Sequence, residues 1–395
     1  MRLPPGVRDW LPQELAFKRD VEERIREVFR SWSYSEVLTP TFESYESLER
    51  GLGEKLMQQT FRFTDPLGQA LALRTEMTTP IARVVSARLR TASLPLRLSY
   101  IATAFRYEEP QLGRMREFTQ AGAELIGASR LDADAEVLFM AIQTVDAVGL
   151  TDTRFDINDQ AIVDGAIVGV GFIGSEIQRV KEFVADRNLP ALTALRGHPG
   201  IDNQRFDILL RLALARGGTD VLDLARSICA TPESIAALER LALLLARCAD
   251  LGYASRIGID FALLRDLEYY TGFVFEGYID DLGFSLCGGG RYDHLLPRFG
   301  FDTPAVGWMI GVERILLALE RRRADERPRN EVDLLVSGSD QLAAQQRALG
   351  LRVRSEVLGL TRAQMIAYAR HKEIPRLLIY SDGQVEELLL SSEDK

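Results

Sequence analysis

The sequence predicts an α+β fold in which an antiparallel sheet is flanked by helices, and three observations carry that expectation. Short apolar runs with strand character are separated by irregular loops, with helical patterns set to one side. A stretch from Gly174 to Leu251, rich in Ala, Leu and Arg, is almost wholly helical in pattern. The tail beyond a charged linker alternates strand and helix over about 60 residues, near the lower size limit for independent stability. At 395 residues the chain is longer than one hydrophobic core usually serves, so two or three domains are expected.

The elements follow in order. Gly6, Arg8, Asp9, Leu11-Pro12 and Glu14 form a turn-rich entry to a helix, and Phe17, Val21, Ile25, Val28 and Phe29 recur at helical spacing between Ala16 and Trp32. Tyr34 to Phe42 reads as extended. Strands are expected at 60–64, 70–74, 96–105 and 117–126, with Asp65-Pro66-Leu67-Gly68 as the turn between the first two. Helices are expected at 80–89 and 133–147. Thr78 or Thr79 would cap the former, with Pro80 in its first turn. After the helical stretch, strand character returns at 257–261, 270–279 and 284–286. A glycine cluster (Gly288, Gly289, Gly290) and a helix over 311–323 complete that region. The linker spans 321–331. Strands at 332–336, 351–357, 376–380 and 384–390, with helices at 341–349 and 362–371, make up the tail, and Asp382-Gly383 joins its last two strands.

Composition excludes several classes. No apolar run approaches the roughly 20 residues that a membrane span needs, and the N-terminus carries no apolar signal core, so a cytoplasmic protein is expected. Cys229, Cys248 and Cys287 are too few and scattered for a disulfide framework or a zinc site. His198, His294 and His371 have no metal-like partner one turn away, so neither a metal nor a cofactor is expected. The net charge of −9 argues mildly against tRNA, because phosphate binding wants a basic surface.

Five segments could carry chemistry. From Phe105 to Phe118, two strands are joined by a loop bearing Arg106, Glu108, Arg114 and Arg116. An arginine fork there suits phosphate, while a solvated hairpin with surface ion pairs is the plain alternative. From Ala305 to Ile315, Gly307 and Gly311 precede Glu313-Arg314 in an apolar setting. They suit an anion at a helix start, or a buried structural ion pair. From Leu264 to Glu276, Arg265, Asp266, Glu268 and the pair Tyr269-Tyr270 suit a pocket for a zwitterion, or amphipathic strand packing. The triple glycine suits a nucleotide cradle or a bulge. Finally, Arg74 to Arg83 presents Glu76, which suits an ammonium group.

In this order and spacing, these segments resemble the histidyl branch of the class II aminoacyl-tRNA synthetases. Tyr34 to Glu43 resembles motif 1, the dimer-forming element; Phe105 to Phe118 resembles motif 2 and Ala305 to Ile315 motif 3. The resemblance implies a class II core over residues 1–320 with a helical insertion at about 170–255, and a shortened anticodon-binding-like α/β domain at 332–395. It places histidine's amino group against Glu76, Thr78 and Gln120, its imidazole near Glu124, Tyr269 and Tyr270, and its carboxylate at Arg265. Arg106, Glu108, Arg114 and Arg314 fall on the ATP site.

The chain departs from the enzymes in ways that bear on catalysis. They read Arg-Gly-Leu-Asp-Tyr-Tyr where Arg265-Asp266-Leu267-Glu268-Tyr269-Tyr270 stands, and Asp266 puts an anion where ATP phosphates would approach. Thr119 replaces a usual histidine, and Met77 a glycine. With a trimmed tail, this form resembles the regulatory-subunit family of ATP phosphoribosyltransferase. That resemblance implies no catalytic residues and ATP-site residues that are vestigial. It also implies self-association through motif 1 and a hetero-octamer of four regulatory chains with four short-form catalytic subunits. Histidine is then the feedback effector of the first step of histidine biosynthesis. An active histidine–tRNA ligase with a shortened anticodon domain is the alternative, and a synthetase paralogue charging something other than tRNA is a third reading.

Overall fold

The computed structural model describes residues 2–109, 115–264, 270–280, 282–322 and 332–390. The chain divides into two compact units, Met1–Ala324 and Asp325–Lys395. Arg114, Arg265, Tyr269, the acids Asp266 and Glu268, and most of the expected linker lie outside the described residues.

The first unit is built on a nine-stranded sheet. Its order is Ser35–Glu36, Leu96–Phe105, Glu117–Ile126, Ala305–Gly311, Cys287–Arg291, Phe273–Tyr278, Arg154–Asp159, Ile257–Asp260, Arg216–Gly217. The six strands from Leu96–Phe105 to Arg154–Asp159 pair antiparallel throughout, which is the α+β arrangement expected. Parallel pairs occur only toward the edges, at Ser35–Glu36 and Ile257–Asp260.

Alternation along the strands separates two faces. Ala121, Ala123 and Leu125 join Val306 and Ile310 in the main core, under helices Pro12–Ser31 and Leu131–Ala147. Gln120, Gly122 and Glu124 therefore point to the opposite face. There Leu98, Tyr100 and Ala102 pack with Met77, Ile81 and Tyr292 in a smaller cluster. Helices from Ser175–Ala185 to Pro232–Asp250 contribute Val180, Leu209 and Leu244 to the main core, so the helical stretch shares that core with the sheet.

Several elements differ from expectation. Arg154–Asp159 and the helix Gln160–Val170 had no counterpart in the sequence reading. The strand is hard to see because its inward residues Asn158 and Asp159 are polar. Asn158 donates to the carbonyls of Phe261 and Leu263, and Asp159 pairs with Arg240 at 2.9 Å. The triple glycine is neither bulge nor cradle but a fully buried strand. A Cβ at Gly289 would lie 2.3 Å from the Gly307 carbonyl oxygen, and one at Gly290 2.5 Å from that of Phe273, so only glycine lets these strands approach. The Asp65–Gly68 turn forms as expected, with the Asp65 carboxylate accepting from Leu67 and Gln69 N–H.

The second unit has a four-stranded sheet, Val353–Ser355, Leu334–Ser337, Arg376–Ser381, Gln384–Leu389, with helices Asp340–Ala348 and Arg362–His371. Asp382 and Gly383, both at positive φ, make its last turn. Among the described residues no single helix is long and apolar enough to cross a membrane.

Candidate functional site

A cavity of about 780 Å³ opens over the face that carries Gln120, and Glu76, Thr78, Arg106, Tyr270 and Arg314 also line it. Beneath its floor two strand positions lack side chains, and neighbouring side chains fill the space they leave. A Cβ at Gly122 would meet the Tyr100 hydroxyl at 2.4 Å, and one at Gly307 would meet a Glu124 oxygen at 1.7 Å. Gly307 is the register partner of Glu124, so the glycine makes the room that the carboxyl fills.

Glu124 is fully buried beneath this floor. The Thr78 hydroxyl donates to one of its oxygens at 2.9 Å and the Tyr292 hydroxyl donates to the other. Burial pushes its carboxyl up to about 8, the two donated hydrogen bonds opposing the shift. Tyr100, fully buried and facing both Glu124 and Glu76, is pushed well above the usual phenol range by burial.

Glu76 does the capping expected of a threonine. Helix Thr78–Arg88 starts at Thr78, no side chain of its N-cap Met77 takes part, and the Glu76 oxygens accept from the N–H groups of Thr78 (2.6 Å) and Thr79 (2.8 Å). The Thr78 hydroxyl is thereby left for Glu124. Gln120 is 1% exposed, and its Oε1 has no hydrogen-bond partner among the described residues. An unmatched buried carbonyl facing a cavity is suited to a ligand N–H.

The two arginines reach the cavity from different elements. Arg106 donates from Nε to the Thr75 carbonyl at 3.0 Å and lies over the Phe118 ring at 5.2 Å. Arg314 donates to the Ser285 carbonyl at 2.5 Å and lies over Phe284 at 5.2 Å. Both, with Glu108, also border a small recess beside Phe118. The buried ion pair that the sequence allowed is made by Glu313 with Lys18, at 3.8 Å, and not with Arg314: the Glu313 carboxylate turns to the helix side of the sheet, where it also accepts the Thr119 N–H at 2.8 Å.

Thus Glu76, Thr78, Gln120, Tyr270, Arg106, Glu108 and Arg314 surround one cavity, with Glu124 directly beneath. Tyr100 and Tyr292 were missed. Tyr100 reads as ordinary core in an alternating strand, and Tyr292 sat in the glycine run that suggested a cradle. Asp186, from the end of helix Ser175–Ala185, and Ala262 and Leu263 also line the cavity and carried no sequence signal.

An antiparallel sheet bearing acids and an amide on one face, between an arginine beside a strand and another in the first turn of a helix, defines the class II aminoacyl-tRNA synthetase core. Residues 6–315 match the family model described as histidyl-tRNA synthetase. An ATP phosphoribosyltransferase regulatory subunit from Moorella thermoacetica is 40% identical over 94% of this chain and 95% of its own. Another, from Desulforamulus reducens, is 38% identical over 98% of both. A crystal structure from Bacillus halodurans, described as an ATP phosphoribosyltransferase regulatory subunit/histidyl-tRNA synthetase, superposes with a TM-score of 0.83 at 29% identity, covering 93% of this chain and 96% of that one. The chain belongs to the histidyl-tRNA synthetase-like family of ATP phosphoribosyltransferase regulatory subunits.

Proposed function

We propose that this chain is the non-catalytic regulatory subunit of an ATP phosphoribosyltransferase, acting in the first step of histidine biosynthesis, with histidine as its effector in the cavity described above. The observation that carries the ligand assignment is the pairing of an unmatched Gln120 carbonyl with a buried Glu124 on one strand face. An amino acid with a ring of two nitrogens wants acceptors at both ends. Glu76, Thr78 and Gln120 would take the ammonium group. Glu124, with Tyr269 and Tyr270 nearby, would take the imidazole, and Arg265 the carboxylate. Arg106, Glu108, Arg114 and Arg314 would be the remnant of an ATP site.

The partner in this reading is the short-form catalytic subunit, in a hetero-octamer of four plus four chains in the cytoplasm. Self-association runs through the motif 1 region. Leu38, Phe42, Phe63 and Leu67, left exposed there, support it, with Phe42 and Phe63 in edge contact at 6.0 Å. Retention of Arg106 and Arg314 on the cavity keeps a second reading in view, a histidine–tRNA ligase.

Two measurements on the purified chain decide. Calorimetry with L-histidine should show saturable binding, and histidine-dependent exchange of pyrophosphate into ATP should be absent. Robust exchange would remove the regulatory reading, and charging of tRNA would then establish the ligase. Absence of binding, alone and with the catalytic subunit, would remove histidine from this cavity.

A further inference from the structure

Directly behind the cavity floor, on the helix side of the sheet, lies a buried cluster of charges. Lys18, 7% exposed on helix Pro12–Ser31, donates to the Thr119 hydroxyl at 2.7 Å and to Glu22, and its ammonium lies 3.8 Å from Glu313. The Trp10 ring covers the ammonium at 5.4 Å.

The cluster completes a sheet that ends early. Strand Ala305–Gly311 stops where Gly311 pairs with Gln120, and the chain turns into helix Val312–Arg322. The next position of the neighbouring strand, Thr119, then presents its N–H past the end of the ladder. The Glu313 carboxylate accepts that N–H at 2.8 Å, in place of the missing strand. Glu313 is largely buried: burial pushes its carboxyl up, and Lys18 is the main influence holding it down. Two members of this cluster are sequence neighbours of cavity residues: Thr119 of Gln120 across the strand's alternation, and Glu313 of Arg314 in the first turn of the helix.

We propose that Lys18 is a positioning residue for the cavity on the opposite face. By holding Thr119 and Glu313 from behind, it fixes Gln120 and Arg314 in the geometry that receives a ligand. The ligand part of this inference rests on the histidine reading above; the positioning part does not. The other charged groups around Glu313 are Glu22 and Arg19 on the same helix as Lys18, Arg8 before it, Glu117 on the strand, and Arg106, Glu108 and Arg314 around the recess beside Phe118. Arg19 is paired with Glu22, and Lys18 is the cation that most opposes the burial of Glu313.

The test uses the full chain in four forms: wild type, Lys18→Arg, Lys18→Met and Lys18→Met/Glu313→Gln. The first readout needs no ligand: the Gln120 side-chain amide resonance in nitrogen-15-labelled protein, assigned by its loss in Gln120→Glu. Lys18→Met should shift it, while Lys18→Arg and the double variant should restore it. The second readout is L-histidine affinity relative to wild type. In Lys18→Met it should fall roughly tenfold, because Glu313 loses the main influence opposing its burial. In the double variant it should stay near wild type. A Gln120 amide unmoved in folded Lys18→Met, with histidine affinity unchanged, overturns the proposal. If Lys18→Met does not fold, Lys18→Gln takes its place, with a displaced Gln120 amide expected and an unmoved one overturning the proposal. A wild type that binds no histidine while its Gln120 amide still answers to Lys18 sinks the histidine reading and leaves the positioning role standing.

Discussion

Glu124 makes the affinity of the cavity for histidine depend on pH from both sides. The imidazole of free histidine titrates near 6.5, and burial raises the Glu124 carboxyl to about 8. Between those values the free ligand is neutral and the free carboxyl holds a proton. The complex holds one proton between ring and carboxyl, so binding exchanges none and affinity is flat. Below the lower value both partners are protonated, and one proton must leave. Each further pH unit then costs about tenfold, or about 1.4 kcal/mol. Above the higher value a proton must be taken up, at the same cost. Calorimetry in buffers of different ionisation enthalpy reads this directly: proton release at pH 5.5, none near 7.2, uptake above 8.5. The ligand's own ammonium also titrates on the alkaline side, so Glu124→Gln is the control. Its affinity relative to wild type isolates the carboxyl, and the alkaline uptake belonging to Glu124 should vanish. Without ligand the linkage has one sign. A raised carboxyl contributes stability that is complete below the ordinary carboxylate range and lost as pH rises through about 8. Thermal stability of the wild type should therefore fall over that window, and less so in Glu124→Gln. A histidine affinity that declines steadily through neutrality, or identical proton uptake by both proteins, refutes the reasoning.

Three further substitutions probe the same walls. Gln120→Leu should weaken histidine binding by about 1–2 kcal/mol in calorimetry, yet leave the melting temperature equal or higher, because it removes a buried carbonyl that lacks a partner. Gly307→Ala places a methyl 1.7 Å from a Glu124 oxygen. It should cost about 1–3 kcal/mol in denaturant unfolding and reduce histidine affinity at least tenfold. Glu76→Ala frees the N–H groups of Thr78 and Thr79 and should destabilise by about 0.5–2 kcal/mol, read from the urea midpoint, in addition to its effect on the ligand.

What the sequence made legible follows from how chemistry is distributed along strands. Gln120 and Glu124 stand four apart among Ala121, Ala123 and Leu125, so alternation alone puts both on the face away from the core. The turns at Asp65–Gly68 and Asp382–Gly383 were readable because their residues supply side-chain acceptors or positive φ. Less was legible where a side chain acts out of character. Asn158 and Asp159 bury polar groups on a strand, which hides it from a hydrophobic pattern. Glu76 caps a helix from outside it, while two threonines and a proline in the next four residues advertise the ordinary solution. Glu313 completes a ladder with a carboxylate instead of pairing with Arg314. Partners 194 residues apart, as Glu313 and Thr119 are, leave no trace in local spacing.

The position of Glu124 also decides which part of regulation it can touch. An effector shifts a partner's activity only by the difference between its affinities for two states of the assembly, commonly about 1–3 kcal/mol. A contact made equally in both states adds to affinity and nothing to that difference. Glu124 sits mid-strand, in register with Gly307 on one side and Leu98 on the other, capped by Thr78 and Tyr292 and fully buried, in a ladder whose strands are paired on both sides. Such a carboxyl keeps one geometry unless the sheet itself breaks, so its contact is common to both states. Glu124→Gln exchanges a charge-assisted hydrogen bond for a neutral one, a loss of about 1–2 kcal/mol or roughly 5- to 30-fold in affinity. In the assembled phosphoribosyltransferase, the histidine concentration for half-inhibition should rise by that factor while the inhibition reached at saturation stays at the wild-type level. A variant whose inhibition at saturation shrinks would place Glu124 among the parts that change between states, and the rigidity argued from its burial and its ladder would be wrong.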